Sequence, residues 1–315
     1  MNINTMNIDT VPVIDIQELG EPATLARLDK ACREWGFFQV VHHGIPDASI
    51  RQVFAAAHTF FALPAAAKRQ IERTRANPWG YYDQELTKNV VDWKQIYDFG
   101  PADGGAIRPQ WPARVPGFRP AVQACYRHCE DLAFRLLAAI SLNLGMRPGY
   151  LGQGFGPGHT SFLRFNYYPA CPLVARSEQG SNLGVGPHTD AGALTLLLQD
   201  AQPGLQVCRG GAWHTVEPLP GAIVVNIGDM VQVWSNDRYR AALHRAVTHA
   251  DKPRYSIPFF LNPSYDANYR PLPSMVSGRQ PPRYREINWG EFRARRMSGD
   301  YADYGEEVQI AQYRI

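Results

Sequence analysis

The sequence predicts an α+β chain whose second half is a mainly β core of the double-sheet or barrel kind, flanked by helices. Two observations carry this. After Gly149, short aliphatic and aromatic runs follow in quick succession: Ser161–Tyr168, Ala193–Gln199, Leu205–Cys208, Ala222–Ile227, Ala246–His249 and Tyr255–Leu261, with Gly, Pro, Asn and Asp between them. That texture is the mark of antiparallel sheets closed on each other. Before Gly149, apolar residues recur at helical spacing instead, at Leu25, Leu28, Cys32 and Trp35 and again from about Ala121 to Leu144.

The elements follow in order. Val11–Ile16 reads as a short strand, and the helical stretch runs from about Ala23 to Trp35, where Gly36 ends it. Phe37–Val41 is β-prone. His43-Gly-Ile-Pro46 is a turn, after which Asp47 is expected to cap a helix reaching toward Leu63. Residues 77–120 are rich in Gly, Pro and Trp and read as loops with short strands. The long helix that follows stops near Gly145. The expected organisation is an N-terminal α/β region over 1–120, a connecting helix over 121–150, a β core over 151–270 and a tail over 271–315. No flexible linker divides these parts, so they are expected to pack as one unit.

Composition narrows the function classes. Of 315 residues, 45% are apolar and 19% charged, which suits a sizeable core rather than disorder. The formal charge is only +3, and no basic run interleaved with aromatics occurs, which argues against a nucleic-acid partner. The polar opening MNINTMNIDT has no apolar signal core, and the richest apolar run, Ile223–Trp234, is broken by Asn226, Gly228 and Asp229. A cytoplasmic protein with no membrane partner is expected. Cys32, Cys125, Cys129, Cys171 and Cys208 form no CxxC pair, and Cys125 and Cys129 share a helical face as small hydrophobes.

The chemistry centres on Pro187-His188-Thr189-Asp190. Side chains two apart on an extended segment point the same way, so His188 and Asp190 can both face the interior. His244 is the best candidate for a third ligand. Two neutral imidazoles and a carboxylate on one face of a metal suit iron(II) and leave three positions open. The pair alone is weak, because it also arises as a hydrogen-bonded couple at a strand end, and His244 also reads as a core histidine beside Leu243. Arg254-Tyr255-Ser256, ten residues past His244, adds weight. A guanidinium fork and a hydroxyl two residues apart can hold a carboxylate, at about 1.5–3 kcal/mol for each charge-assisted bond. Arg164, Asn166 and Tyr168 also share one strand face, either as donors to a bound oxo acid or as the cap of a sheet. Charge closes as well: iron(II) with one aspartate is +1, an oxo-acid dianion makes it −1, and Arg254 restores neutrality.

These residues resemble the plant-type 2-oxoglutarate/iron(II)-dependent dioxygenases related to isopenicillin N synthase. The similarity runs through Gly184–Asp200, Pro203–Val207, Val225-Asn-Ile-Gly-Asp229, Trp234-Ser-Asn236, His244-Arg245 and Arg254-Tyr-Ser256. It includes Val11–Asp15, Trp35–Val40, His43–Pro46 and Lys88–Lys94, and so covers nearly the whole chain. The resemblance implies a distorted double-stranded β-helix, or jelly roll, with flanking helices, and iron(II) on His188, Asp190 and His244. It implies 2-oxoglutarate on Arg254 and Ser256, with Asn166 and Tyr168 at its metal end, O2 as oxidant and ascorbate as a candidate reductant. The implied activity is hydroxylation, desaturation or cyclisation of a small organic substrate, with release of succinate and CO2.

Phe260, four past Ser256 on the same strand face, is the expected substrate wall. Tyr81, Tyr82, Trp93 and Tyr97 read as core or lid, His214 as a hairpin residue and His249 as peripheral. Three other readings stand beside this one. They are a 2-oxoglutarate-independent iron oxidase of the same family, a zinc hydrolase on the same ligands, and a non-catalytic binding protein on the same fold.

Overall fold

A computed structural model describes residues 10–102, 105, 107–172, 183–299 and 308–315, so the polar opening read above lies almost wholly outside the described residues. The first half runs β1 (Val13–Asp15), α1 (Pro22–Glu34), β2 (Phe37–Val41), α2 (Asp47–Phe61), α3 (Ala65–Arg69), β3 (Gly80–Tyr82), β4 (Leu86–Thr87), β5 (Val90–Val91) and β6 (Gln95–Phe99). Helix α1 begins on Pro22, whose fixed φ suits a first turn, and buries Thr24, Leu28, Ala31 and Cys32. Asp47 does not cap α2. Pro46 holds the cap position in an extended conformation, and Asp47 is the first helical residue, where its charge suits the helix dipole.

Helix α4 (Phe118–Asn143) follows, and its buried residues, among them Val122, Cys125, Cys129, Leu132, Leu136 and Ile140, fall on one stripe. Cys125 and Cys129 lie on that stripe with their sulfurs 3.9 Å apart. The stripe packs on the central strands of the sheet described next and against α1 and α2.

The second half contains β7 (Phe162–Tyr168), β8 (Leu183–His188), β9 (Leu194–Gln199), β10 (Leu205–Arg209), β11 (Ala212–Thr215), β12 (Ile223–Ile227), α5 (Asp229–Trp234), β13 (His244–Val247) and β14 (Arg254–Leu261). A short pair, β15 (Asn268–Tyr269) and β16 (Ile287–Asn288), leads into α6 (Trp289–Gly299). One sheet has eight strands in the order β1-β2-β12-β9-β14-β7-β6-β3, and the other has four, β11-β10-β13-β8. The larger sheet draws β1, β2, β3 and β6 from the N-terminal half, so the two halves share one sheet. All pairs within it are antiparallel except β1 with β2. Residues of both sheets line a cavity of about 180 Å³.

A six-charge cluster stitches the two halves beside that cavity. Arg164 on β7 donates through Nε and Nη2 to Asp98 at 2.7 and 2.9 Å, and through Nη1 and Nη2 to Glu85 at 2.8 and 2.9 Å. Arg73 bridges the same two carboxylates, and Lys94 joins Glu85 to Asp92. Three cations face three anions, and all but the partly exposed Arg164 are buried. Burial would raise the Glu85 carboxyl, but Arg164, Lys94 and Arg73 hold it well below the usual range. Burial would lower the Lys94 ammonium, but Asp92 and Glu85 raise it. Removing one member leaves a buried charge uncompensated, so Arg164→Met is expected to cost about 3–5 kcal/mol of stability. Urea unfolding checks this, and a loss under about 1 kcal/mol, the ceiling for an exposed pair, would show that the cluster is not a structural tie.

Candidate metal centre

Strand pairing brings the two histidines together. His188 is the last residue of β8 and His244 the first of β13, and the two are direct partners in the antiparallel ladder. Their rings lie 4.3 Å apart, centre to centre. Asp190 lies two residues past His188, beyond the end of β8, and faces the same centre, as the extended-segment reading required. A bend over residues 191–193 follows it, and its carboxylate lies close to both imidazoles. Oδ1 of Asp190 is 3.6 Å from His188 Nε2 and 3.7 Å from His244 Nε2. One ligand atom from each residue lies within 4.8 Å of the others, a spacing at which all three can hold one ion.

The protonation pattern suits a cation. His188 Nδ1 faces the Gly186 carbonyl at 2.8 Å and His244 Nδ1 the Ala242 carbonyl at 3.1 Å. A carbonyl only accepts, so each Nδ1 carries a proton, and the neutral tautomer this selects leaves the Nε2 lone pair for a metal. Asp190 is directed in the same way. Its Oδ2 accepts from Asn226 Nδ2 at 2.7 Å and from the Thr195 hydroxyl, which leaves Oδ1 for the metal. Burial alone would raise the Asp190 carboxyl, but His244, His188 and Thr195 hold it well below the usual carboxylate range. Burial, with His188 close by, lowers His244 to about 4, so its imidazole is neutral at physiological pH. These donors fit a divalent ion bound on one face.

Backbone contacts hold the ligand-bearing bend. Asp229 N–H donates to the Asp190 carbonyl at 2.8 Å, Met230 N–H to Gly192 at 3.2 Å and Gly228 N–H to Ala193 at 2.9 Å. The first amides of α5, which no intrahelical acceptor serves, are thus used on the bend. A Cβ at Gly228 would lie 2.2 Å from the Gly192 carbonyl oxygen and 2.8 Å from that of Asp190, so only glycine permits this approach.

The other side of the cavity is built on β7 and β14, where Ser256 pairs with Asn166 and Arg254 with Tyr168. Arg254 is 2% exposed, with Nε on the Gln202 carbonyl, Nη2 on Gln199 Oε1 and its guanidinium 5.2 Å from the Tyr168 ring centre. Gly204 makes room for it: a Cβ there would stand 2.8 Å from Arg254 Cδ, and its φ of +158° already disfavours other residues. Asn166 Nδ2 donates to Ser256 Oγ at 3.3 Å, while Asn166 Oδ1 is buried without a hydrogen-bond partner among the described residues. Turning the amide over lets Oδ1 accept from the serine hydroxyl and aims Nδ2 as a donor at an incoming ligand. Arg254, Ser256, Asn166 and Tyr168 all line the cavity, an arrangement that fits a small dicarboxylate.

Other residues fall differently. Arg164 shares the face of Asn166 and Tyr168, but every guanidinium nitrogen is engaged by Glu85 or Asp98, so it is not a donor to the oxo acid. Phe260 lines the cavity, stacked on Phe162 with centres 4.6 Å apart. Tyr81 and Tyr97 are core residues, Tyr82 lies under the Arg73 guanidinium, and Trp93 donates to the Pro169 carbonyl. His214 packs edge-on to Trp35 and His249 meets the Pro203 carbonyl, both apart from the three ligands. Sequence reasoning missed Thr195, Asn226, Gln199 and Gln202. Asn226 was findable as the lone polar residue of the apolar strand β12, and Thr195 is its cross-strand partner on β9.

Comparison with known proteins agrees with this geometry. The model of the 2OG-Fe(II) oxygenase superfamily matches residues 159–263, and that of the non-haem dioxygenase in morphine synthesis N-terminal region matches 11–120. The chain is 33% identical to jasmonate-induced oxygenase 4 of Arabidopsis thaliana over 291 residues, covering 90% of this chain and 81% of the relative. It is 35% identical to flavanone 3-dioxygenase 2 of Oryza sativa subsp. japonica over 289 residues, covering 90% and 82%. The crystal structure of JOX2 in complex with 2OG, Fe and JA superposes with a TM-score of 0.82 at 31% identity, covering 97% of this chain and 89% of that one. The two sheets are therefore those of a double-stranded β-helix. With the His-Asp-His centre inside it, the chain belongs to the 2OG-Fe(II) oxygenase superfamily and is an iron(II)- and 2-oxoglutarate-dependent dioxygenase.

Proposed function

We propose that His188, Asp190 and His244 bind the iron, that Arg254 and Ser256 bind the distal carboxylate of 2-oxoglutarate, and that Asn166 and Tyr168 serve its metal end. The observation that carries this is the convergence of two Nε2 lone pairs and one directed carboxylate oxygen on the cavity that Arg254 also lines. When bound, iron and 2-oxoglutarate supply an O2-dependent oxidative decarboxylation that drives hydroxylation, desaturation or ring closure of the substrate.

The protein's part is orientation, charge and exclusion of water. Asn226 and Thr195 hold Asp190 so that one oxygen faces the centre. Arg254 balances the cosubstrate charge, while the six-charge cluster at the cavity wall sums to zero and adds no net charge. Phe162 and Phe260 form an apolar slab for the substrate, and Arg293 lies 5.4 Å over the Phe162 ring. The substrate proposed here is a small organic acid, its apolar part on the slab and its carboxylate toward Arg293. We place the activity in the cytosol, supported by five free cysteines, of which four are buried. No helix among the described residues is long and apolar enough to cross a membrane.

The test is anaerobic loading with iron(II) and 2-oxoglutarate, then O2 and a panel of small acids and their methyl esters, with succinate as the readout. Succinate is expected to form at one per 2-oxoglutarate consumed, and oxidation without it would point to the cosubstrate-independent oxidase. An acid is expected to stimulate about 10–100-fold more effectively than its ester, the worth of one charge-assisted bond. Equal stimulation by both would remove Arg293 from substrate recognition.

A further inference from the structure

Thr189 stands between two metal ligands, and its backbone is held from the far end of the chain. Arg296 on α6 donates from Nη2 to the Thr189 carbonyl at 3.0 Å and from Nη1 to the Val308 carbonyl at 3.1 Å. Its side chain is buried, 9% exposed, and lines the cavity. The neighbouring carbonyls of the bend, those of Asp190, Gly192 and Ala193, are met by amides close in sequence to one another, from Gly228 to Met230. Thr189 instead relies on a charged donor 107 residues away.

A second observation lies beneath the same contact. Asp229 is fully buried on the first turn of α5. The charges acting on it include the Arg296 guanidinium, and Thr189 is beside it. Arg296 thus meets a carbonyl of the bend, a carbonyl of the C-terminal segment and the field of a buried acid. A planar fork suits that task, since its donors are fixed relative to one another, whereas an ammonium is a single point.

We propose that Arg296 is a positioning residue of the metal centre: by gripping the Thr189 carbonyl it sets the relative aim of His188 and Asp190, which makes the C-terminal helix part of the iron site. The proposal rests on the metal reading above. A purely structural alternative exists, in which Arg296 only neutralises Asp229, and a double variant separates the two.

The probes are iron(II), titrated anaerobically, and cobalt(II) in parallel, with thermal melting of the metal-free protein as the measure of fold. Arg296→Gln is expected to lower both the melting temperature and the metal affinity, the latter about 10–100-fold as for other groups that orient ligands. Adding Asp229→Asn removes the buried acid, so the double variant is expected to melt closer to wild type than Arg296→Gln does, while its metal affinity stays at least about tenfold weak. Arg296→Lys keeps the charge but not the fork, and is expected to melt near wild type and still bind metal more weakly. If the double variant or the lysine variant binds metal as wild type does, Arg296 is a counter-ion and the proposal is overturned. His188→Ala serves as the control: undiminished binding there would sink the metal reading itself, independently of Arg296.

Discussion

His188→Ala is expected to abolish substrate-stimulated succinate formation and to lose iron binding. The variant leaves two ligands of three and opens a gap where β8 meets β13, with Asp190 Oδ1 still directed into it by Asn226 and Thr195. The loss should exceed that of an outer residue. Asn226→Ala keeps all three ligands but strips Asp190 Oδ2 of its 2.7 Å donor, and is expected to weaken metal binding by about 10–100-fold. Anaerobic iron titration with succinate detection measures both. Full activity in His188→Ala would move the metal elsewhere, and equal losses in the two variants would mean that the outer contact is as necessary as the ligand.

The second large effect is at Arg254. Arg254→Ala is expected to raise the 2-oxoglutarate concentration needed for half-maximal rate by about 100-fold or more, since two charge-assisted bonds at about 1.5–3 kcal/mol each are lost. The half-saturating concentration of the organic substrate should move far less, because the guanidinium lies at the Tyr168–Gly204 end of the cavity, held by Gln199 and Gln202. Arg254→Lys restores the charge but not the two-pronged geometry, so partial recovery is expected. Parallel saturation curves for cosubstrate and substrate decide the matter. An unchanged 2-oxoglutarate dependence would transfer that role to another side chain.

Both effects concern residues visible before any coordinates, and the reason is local. Residues two apart on a strand share a face whatever lies around them. Arg254 with Ser256, and Asn166 with Tyr168, therefore line one cavity, as their spacing on β14 and β7 required. The same spacing places Asp190 beside His188 just past the end of β8. What holds it there, the amides of Gly228 and Asp229 on the following bend, cannot be read from alternation. Arg164 passed the spacing rule and still has a different task. Its partners Glu85 and Asp98 stand 79 and 66 residues away, on a loop and on β6.

The sequence by itself determined the types of group that line this cavity: two imidazoles, one carboxylate, one guanidinium with its serine, and alternating strands to carry them. Tertiary structure alone decided which groups aim the ligands, namely Asn226 and Thr195 on Asp190, the Gly186 and Ala242 carbonyls on the histidines, and Arg296 on Thr189. Alternation along a strand is set by the backbone of that strand. Contact between elements depends on register, on the path of each bend and on how closely two backbones approach, and these are settled only when the whole core packs at once.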